Sequence, residues 1–305
     1  MSSQDPGSVS AVIVTWNPDL SRLREVLRSV VPQVADVVVV DNGSTDQREL
    51  RSFITEVGDV FLIGLSENLG IGAALNIGIR KALLSAPTWV LSLDQDTVIG
   101  DSAIQEILGS YLELDEDVRR SIGIIGMRTA FQRTTNWFTT SVERLMFIQD
   151  LGSFEERLGV ITSGTLMRAD VAELVHFNEL LFIDQVDFDF CYSSRRLGYR
   201  VIRQKKISMD HTLGKIVVSK RGIHPYENAE RLYYIVRNST FLVLRRRLPV
   251  RFYLMQIVVF NGAYLSVNGG KSLVHCLMID LKGLVDGVLS RLGKRNYPML
   301  YRGRR

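Results

Sequence analysis

The sequence predicts an α/β fold, a mostly parallel sheet flanked by helices, followed by a helical C-terminal extension. Three observations carry this. Short apolar runs alternate with helix-period or loop segments over the first hundred residues in the order β-α-β-loop-β-α-β, the alternation of a parallel sheet. Val90-Leu91-Ser92-Leu93 reads as a buried strand that runs straight into Asp94-Gln95-Asp96, and ligands of open α/β sheets lie beyond the carboxyl ends of such strands. After Tyr226 the pattern becomes helical.

The elements follow in order. Ser8 to Thr15 is the first strand, stopped by Trp16-Asn17-Pro18. Leu23, Leu27 and Val30 recur at helical spacing, with charged residues between them. Val37 to Val40 is the second strand, and Asp41-Asn42-Gly43-Ser44-Thr45-Asp46 after it reads as a turn and helix-start signal that can also form a nucleotide-contacting loop. Val60 to Leu65 is the third strand. The glycines of Asn68-Leu69-Gly70-Ile71-Gly72 then enter a helix with Ile71, Leu75, Gly78 and Ala82 on one face; they serve either helix packing or backbone approach to phosphate. Trp89 to Leu93 is the fourth strand. Ile122 to Met127, Val160 to Met167 and Arg200 to Met209 read as further strands, with an irregular aromatic segment from Phe131 to Phe154. A helix carrying Asp184, Asp187 and Asp189 in its first turns ends at Gly198; three acids exceed what the positive helix N-terminus requires. Helices over Ala229 to Val243, Phe252 to Val267 and Leu273 to Leu292 complete the chain.

With 305 residues, 46% apolar and 23% charged, the chain is globular and not disordered. Its net charge of +4 and pI near 9.1 fit an anionic partner, and the excess of Lys and Arg lies toward the C-terminus, from Arg195-Arg196 through Arg245-Arg246-Arg247 and Lys294-Arg295 to Arg302 and Arg305. Cys191 and Cys276 lack metal or disulfide spacing, which fits a reducing cytoplasm. Met1 to Gly7 has no signal-peptide pattern. The most apolar window, Phe252 to Val267, is about 16 residues against the ~20 a spanning helix needs, and it contains Gln256 and Asn261, so no transmembrane helix is expected.

Two carboxylates at i and i+2 on a bend can present oxygen to one hard cation, which takes the rest of its shell from substrate phosphate. Alone, the spacing fits a solvated strand-end turn as well. The wider set does not stand alone. Ile13-Val14-Thr15-Trp16-Asn17, Val39-Val40-Asp41-Asn42-Gly43-Ser44-Thr45-Asp46, Glu67-Asn68-Leu69-Gly70, Leu93-Asp94-Gln95-Asp96, Phe182-Ile183-Asp184-Gln185-Val186-Asp187, and His211 with Gly214 occur in the order found in family 2 inverting glycosyltransferases of GT-A fold, and the chain most closely resembles their bacterial rhamnosyltransferases. The match continues through Tyr233-Tyr234 to Arg237-Asn238. Asp189-Phe190 stands where the family has Glu-Trp, the following arginine is shifted to Arg195 or Arg196, and no Gln-x-x-Arg-Trp occurs, which implies a non-processive enzyme.

The resemblance implies a GT-A catalytic domain over residues 1–225, with a nucleotide-sugar half over about 1–100 and an acceptor half over about 101–225. Residues 226–305 form a helical region whose apolar stripe either contacts a membrane or packs on the catalytic domain or a second subunit. It implies that Asp41 accepts the N3–H of uracil or thymine, with Thr15, Trp16, Asn17, Asn42, Ser44, Asn68, Gly70 and Gln95 around the nucleotide sugar. Asp94 would face the ribose or the metal, Asp96 would ligate Mg²⁺ or Mn²⁺, and His211 would be a further ligand. Asp187 is the first candidate for the general base, Asp184 the second; Asp189 is a structural or acceptor-contacting acid. His176 and His224 carry no motif, and His275 reads as packed. The implied donor is dTDP-L-rhamnose and the implied acceptor a lipopolysaccharide-core, O-antigen or lipid-linked glycan, at the inner face of the cell membrane. A different UDP or dTDP sugar is the nearest alternative. A nucleotidyltransferase would carry a glycine-rich basic loop where Thr15-Trp16-Asn17-Pro18 stands, and a non-catalytic nucleotide or nucleic-acid binder finds support only in the basic tail; no nucleic-acid partner is expected.

Overall fold

The computed structural model describes residues 7–129, 137–211, 216–219 and 222–298. Met1 to Pro6, residues 130–136 of the expected irregular segment, Gly214, the side chain of His224 and Arg302 to Arg305 lie outside the described residues. The chain runs β1 (Val9–Thr15), α1 (Leu20–Val30), β2 (Asp36–Asp41), α2 (Gln47–Val57), β3 (Val60–Gly64), α3 (Ile71–Ala82), β4 (Trp89–Asp94), β5 (Thr97–Val98), α4 (Ala103–Leu112), α5 (Glu116–Ser121) and β6 (Ile122–Thr129). It continues through α6 (Trp137–Met146), β7 (Phe147–Leu151), β8 (Phe154–Arg157), β9 (Thr165–Arg168), α7 (Ala169–Leu174), α8 (Val186–Arg196), β10 (Arg200–His211), β11 (Ile216–Ser219) and β12 (Gly222–Pro225) to α9 (Ala229–Leu244), α10 (Val250–Asn268) and α11 (Leu273–Val288).

Among the described residues the main sheet has ten strands in the order β3-β2-β1-β4-β9-β6-β10-β8-β7, with β5 paired to β10. The strands β3, β2, β1 and β4 are parallel, as is β6 with β10. β9 lies antiparallel between β4 and β6, and the β7–β8 hairpin closes the far edge. Both faces are covered, which is why the strands read as continuous apolar runs. Along β1, Ala11 and Ile13 pack with Leu23, Leu27 and Phe53 of α1 and α2, while Val12 and Val14 turn to α3 and the C-terminal helices. Asp19, Asp46 and Asn228 cap α1, α2 and α9 by accepting from backbone N–H groups of the first turn.

Several expectations need correction. The segment between β2 and β3 is the helix α2 rather than a loop, and Asp46 of the expected start signal is its cap. The strand expected over Val160 to Met167 is confined to Thr165–Arg168, because Gly164 turns the chain at φ +70°. The acidic helix starts only at Val186: Phe182, Asp184 and Gln185 all have positive φ, so Asp184 sits in a turn ahead of the helix. The last helix stops at Val288 rather than Leu292. The described part of the irregular segment is α6 and β7.

α10 has 19 residues and a mean hydropathy of 1.3, long and apolar enough to cross a bilayer by length and composition alone. Its inner face, with Phe252, Tyr253, Met255, Gln256 and Val259, is buried in the protein.

Candidate active site

The carboxyl ends of β1, β2 and β3 gather the first group of residues. Asp41 ends β2 almost fully buried, and it accepts from the Ser44 N–H at 3.2 Å, the Ser44 hydroxyl and the Thr15 hydroxyl at 3.4 Å. Asn17, at φ +46°, donates its N–H to Ser44 Oγ at 2.7 Å and accepts from the Thr45 N–H at 2.8 Å. Asn42 accepts from the Leu69 N–H at 2.9 Å and donates to Asn68 Oδ1 at 3.2 Å, and that oxygen also takes the Gly70 N–H at 2.9 Å. The three strand-end loops are thereby one hydrogen-bonded unit. Gly70 is required at its junction: φ is +93°, and a Cβ would stand 2.6 Å from the carbonyl oxygen of Phe182. Trp16 is half exposed on the rim, and its N–H reaches Gln95 Oε1 at 2.7 Å, tying this unit to the acidic bend.

Asp94 and Asp96 meet His211 through the pairing of β5 with β10, which sets Thr97 opposite His211. One ligand atom from each of the three lies within 4.8 Å of the others. Thr97 Oγ1 contacts His211 Nδ1 and Ser163 Oγ, each at 2.7 Å, and Ser163 Oγ accepts the Asp94 N–H at 2.9 Å. Arg22 braces the bend from α1, donating to the Asp96 carbonyl at 3.0 Å and to Asp210 at 2.9 Å. Burial pushes the Asp94 carboxyl above the usual carboxylate range, with Asp96 adding to the effect and His211 and Arg231 opposing it. Burial lowers His211, but the carboxylates of Asp96 and Asp94 outweigh it and hold the imidazole above its ordinary value. Asp96 Oδ1 is buried without a hydrogen-bond partner, 3.4 Å from His211 Nδ1. Two carboxylates, one of them with that orphaned oxygen, and an imidazole are a donor set that fits Mg²⁺ or Mn²⁺.

The turn before α8 brings the remaining carboxylates alongside. Asp184 is gripped in a bidentate pair by Arg231 of α9, at 2.7 and 2.5 Å, and Glu227 stands 3.7 Å from the same guanidinium. Among the described residues no arginine or lysine pairs with Asp187, which accepts the Phe188 N–H at 2.9 Å. Burial pushes its carboxyl up to about 7 against that hydrogen bond, and the charges of Asp184 and Asp94 add to the rise. Asp189 points elsewhere; it is paired with Arg247, which also holds Ser193 at 2.9 Å. Arg195 donates to Glu156 and to the Arg157 carbonyl, each at 3.2 Å, and Arg196 is exposed. His275 is packed against Tyr264, whose hydroxyl is 2.9 Å from Nδ1.

Sequence reasoning missed the groups that support these carboxylates. Asn238, fully buried in α9, donates to the carbonyls of Leu181, Ile183 and Asp184 at 2.9, 2.7 and 2.9 Å. Gln256 of α10 accepts from Gln185 at 3.1 Å. A polar Arg-Asn pair inside an otherwise apolar helix was the available signal for Asn238. Nothing local pointed to Arg231, Ser163 or Thr97.

The family model described as glycosyl transferase family 2 matches residues 10–174, more than half of the chain. The dTDP-rhamnosyl transferase RfbF of Shigella flexneri is 29% identical over 295 residues, covering 95% of this chain and 98% of its own. Among solved structures, residues 1–349 of S. aureus TarS in complex with UDP-GlcNAc superpose with a TM-score of 0.58 at 17% identity, over 93% of this chain and 82% of that one. GalNAc-T7 with UDP, GalNAc and Mn²⁺ gives 0.54 at 16% identity, over 82% of this chain and 54% of that one. The sheet order, the acidic bend at the end of β4 and the helices behind it are the GT-A arrangement, and the chain belongs to glycosyl transferase family 2.

Proposed function

We propose that the protein transfers L-rhamnose from dTDP-L-rhamnose to a hydroxyl of a bacterial surface glycan, a lipopolysaccharide core, an O-antigen or a similar lipid-linked saccharide, with inversion and without processivity. It would do so at the cytoplasmic face of the membrane. The observation that carries the sugar is the likeness to RfbF along nearly the whole of both chains. The reaction draws its support from the juxtaposition of the Asp94, Asp96 and His211 cluster with a half-buried carboxylate, Asp187, free of ion pairing to arginine or lysine among the described residues.

Asp41 would accept the N3–H of thymine, with Thr15, Asn17, Asn42 and Ser44, hydrogen-bonded around it or beside it, lining the nucleoside site. Asp94, Asp96 and His211 would hold a divalent cation, which supplies Lewis-acid stabilisation of the departing diphosphate. Asp187 would take the proton of the acceptor hydroxyl as its oxygen bonds to the anomeric carbon and the bond to the nucleoside diphosphate breaks on the opposite face. Asp184, its oxygens engaged by Arg231, would orient the turn instead.

A donor panel of dTDP-L-rhamnose, UDP-glucose, UDP-galactose and UDP-GlcNAc with Mg²⁺ or Mn²⁺ tests the reading through nucleotide release and melting temperature, since a ligand of the native state stabilises it by mass action. Selective response to dTDP-L-rhamnose is expected. Turnover of a UDP-sugar with none of dTDP-L-rhamnose would refute the donor and leave the transferase.

A further inference from the structure

We infer that the outer face of α10 and α11 is a docking surface for a bilayer bearing anionic lipid, with both helices lying along the membrane rather than through it. The inference names what holds the enzyme at the membrane face proposed above and rests on that reading for its purpose, not for its geometry.

On α11, Cys276, Ile279, Gly283, Asp286 and Gly287 face inward, and Gly283 and Gly287 lie against α9. The opposite stripe, at helical spacing, exposes Leu273, Val274, Leu277, Leu281, Leu284 and Val288 without one charged residue among them. α10 exposes Val250, Leu254 and Val258 opposite its packed face. Asn261 donates to Asp280 at 2.5 Å across the seam, so the helices lie side by side and their stripes adjoin. A continuous apolar surface of this kind marks an interaction site.

Charge decides the occupant. From Leu244 to Pro298 the sequence holds nine Lys and Arg (245, 246, 247, 251, 271, 282, 291, 294 and 295) against two acids, Asp280 and Asp286. Asp286 is buried on Tyr233 and Tyr297, and Asp280 is engaged in the seam. Arg245, Arg246, Arg251 and Arg291 are exposed where the end of α9, the start of α10 and the end of α11 come together; Arg245 donates to Ser290 at 3.1 Å. A second copy would bring to this surface the same arginines and no exposed carboxylate to meet them. An anionic leaflet answers the arginines and covers the apolar stripe at once.

Crossing the bilayer would tear the inner face of α10 from the core, including Gln256, which holds Gln185 beside the candidate base. Lying flat, α10 places its outer face on lipid and its inner face against that turn. The turn that carries Gln185, next to Asp184 and Asp187 in the chain, then stands about one helix diameter, ~10 Å, behind the membrane surface, which suits an acceptor held in the membrane by a lipid.

The test is flotation of the full-length protein with vesicles of phosphatidylcholine alone or mixed with phosphatidylglycerol, at ~0.1 M and ~1 M salt. Flotation is expected only with the mixed vesicles at low salt. It should fall about tenfold or more in Leu277→Asp/Leu281→Asp and, separately, in Arg245→Gln/Arg246→Gln/Arg251→Gln/Arg291→Gln, all exposed positions whose variants should keep the wild-type melting temperature. Three results would overturn the inference: flotation that resists high salt and carbonate, which would give α10 to the bilayer interior; a soluble dimer that Leu277→Asp/Leu281→Asp turns into monomer, which would give the face to a second copy; or a monomer that floats with neither vesicle. The readout needs no donor, so the inference and the proposed sugar transfer fail separately.

Discussion

Asp184 and Asp187, three residues apart, sit in opposite electrostatic surroundings. The first is held by a bidentate arginine and the second is half-buried without one among the described residues. A carboxyl raised to about 7 in the folded protein, against ~3.9 in the unfolded chain, keeps its proton between those values while the unfolded chain releases it. Its contribution to stability is therefore fully present below about pH 4 and is lost as pH rises through 7. Asp187→Asn removes the cost of ionisation, so its melting temperature should exceed wild type at pH 8 and match it near pH 4. The same substitution should lower the transfer rate roughly 10²–10⁴-fold, and wild-type activity should rise with pH through about 7. Asp184→Asn leaves Arg231 without its bidentate partner and should lower the melting temperature at pH 8. Thermal melts and rate profiles of the two variants check this; a stabilised Asp184→Asn with normal rates for Asp187→Asn would reverse the assignment. At the acidic bend, Mn²⁺ is expected to raise the melting temperature of the wild type, and Asp96→Ala, which removes one of three candidate ligands, should abolish that rise.

The elements that were legible in the sequence are those whose signal is local. β1, β2 and β4 are buried on both faces and β3, at the sheet edge, is partly buried, so their apolar runs announce them, and each functional loop begins where its run stops. His211 drew attention only through its place in the motif; what carries it to Asp94 and Asp96 is β5, two residues long, paired across more than a hundred residues of chain. The turn at 181–185 was illegible for a different reason. Its positive φ angles belong to Phe182, Asp184 and Gln185 rather than to glycines, so no breaker residue marks it. Three such residues in one turn store strain that the surroundings must hold, and Asn238 does so by taking three of its carbonyls. Asn238→Ala should leave those carbonyls unmet, cost about 1–3 kcal/mol in chemical denaturation, and lower kcat while leaving the KM for donor unchanged. A KM effect with intact kcat would place the role of Asn238 in donor binding instead.

At the scale of the molecule, the helical region after residue 225 shares its core with the sheet. Phe241, Leu242, Leu248, Phe252, Tyr253, Met255 and Val259 belong to the same cluster as Val12, Val14, Val38 and Val40. Twelve of the sixteen residues of α9 are buried, which is the pattern of a core helix rather than of an attached arm. The same helix supplies Arg231 to Asp184 and Asn238 to the turn, while Tyr233 ties it to Asp286 of α11 at 2.7 Å. A fragment of residues 1–225 would expose the apolar face beneath α9 and α10 and leave the 181–185 turn without its side-chain donors. It should therefore aggregate or melt without a cooperative transition, and nucleotide sugar should not stabilise it. Calorimetry of the fragment beside the full chain is the measurement. A cooperative melt that shifts upward with the donor would show that the nucleotide half and its site stand on their own, with the three helices as an addition to them.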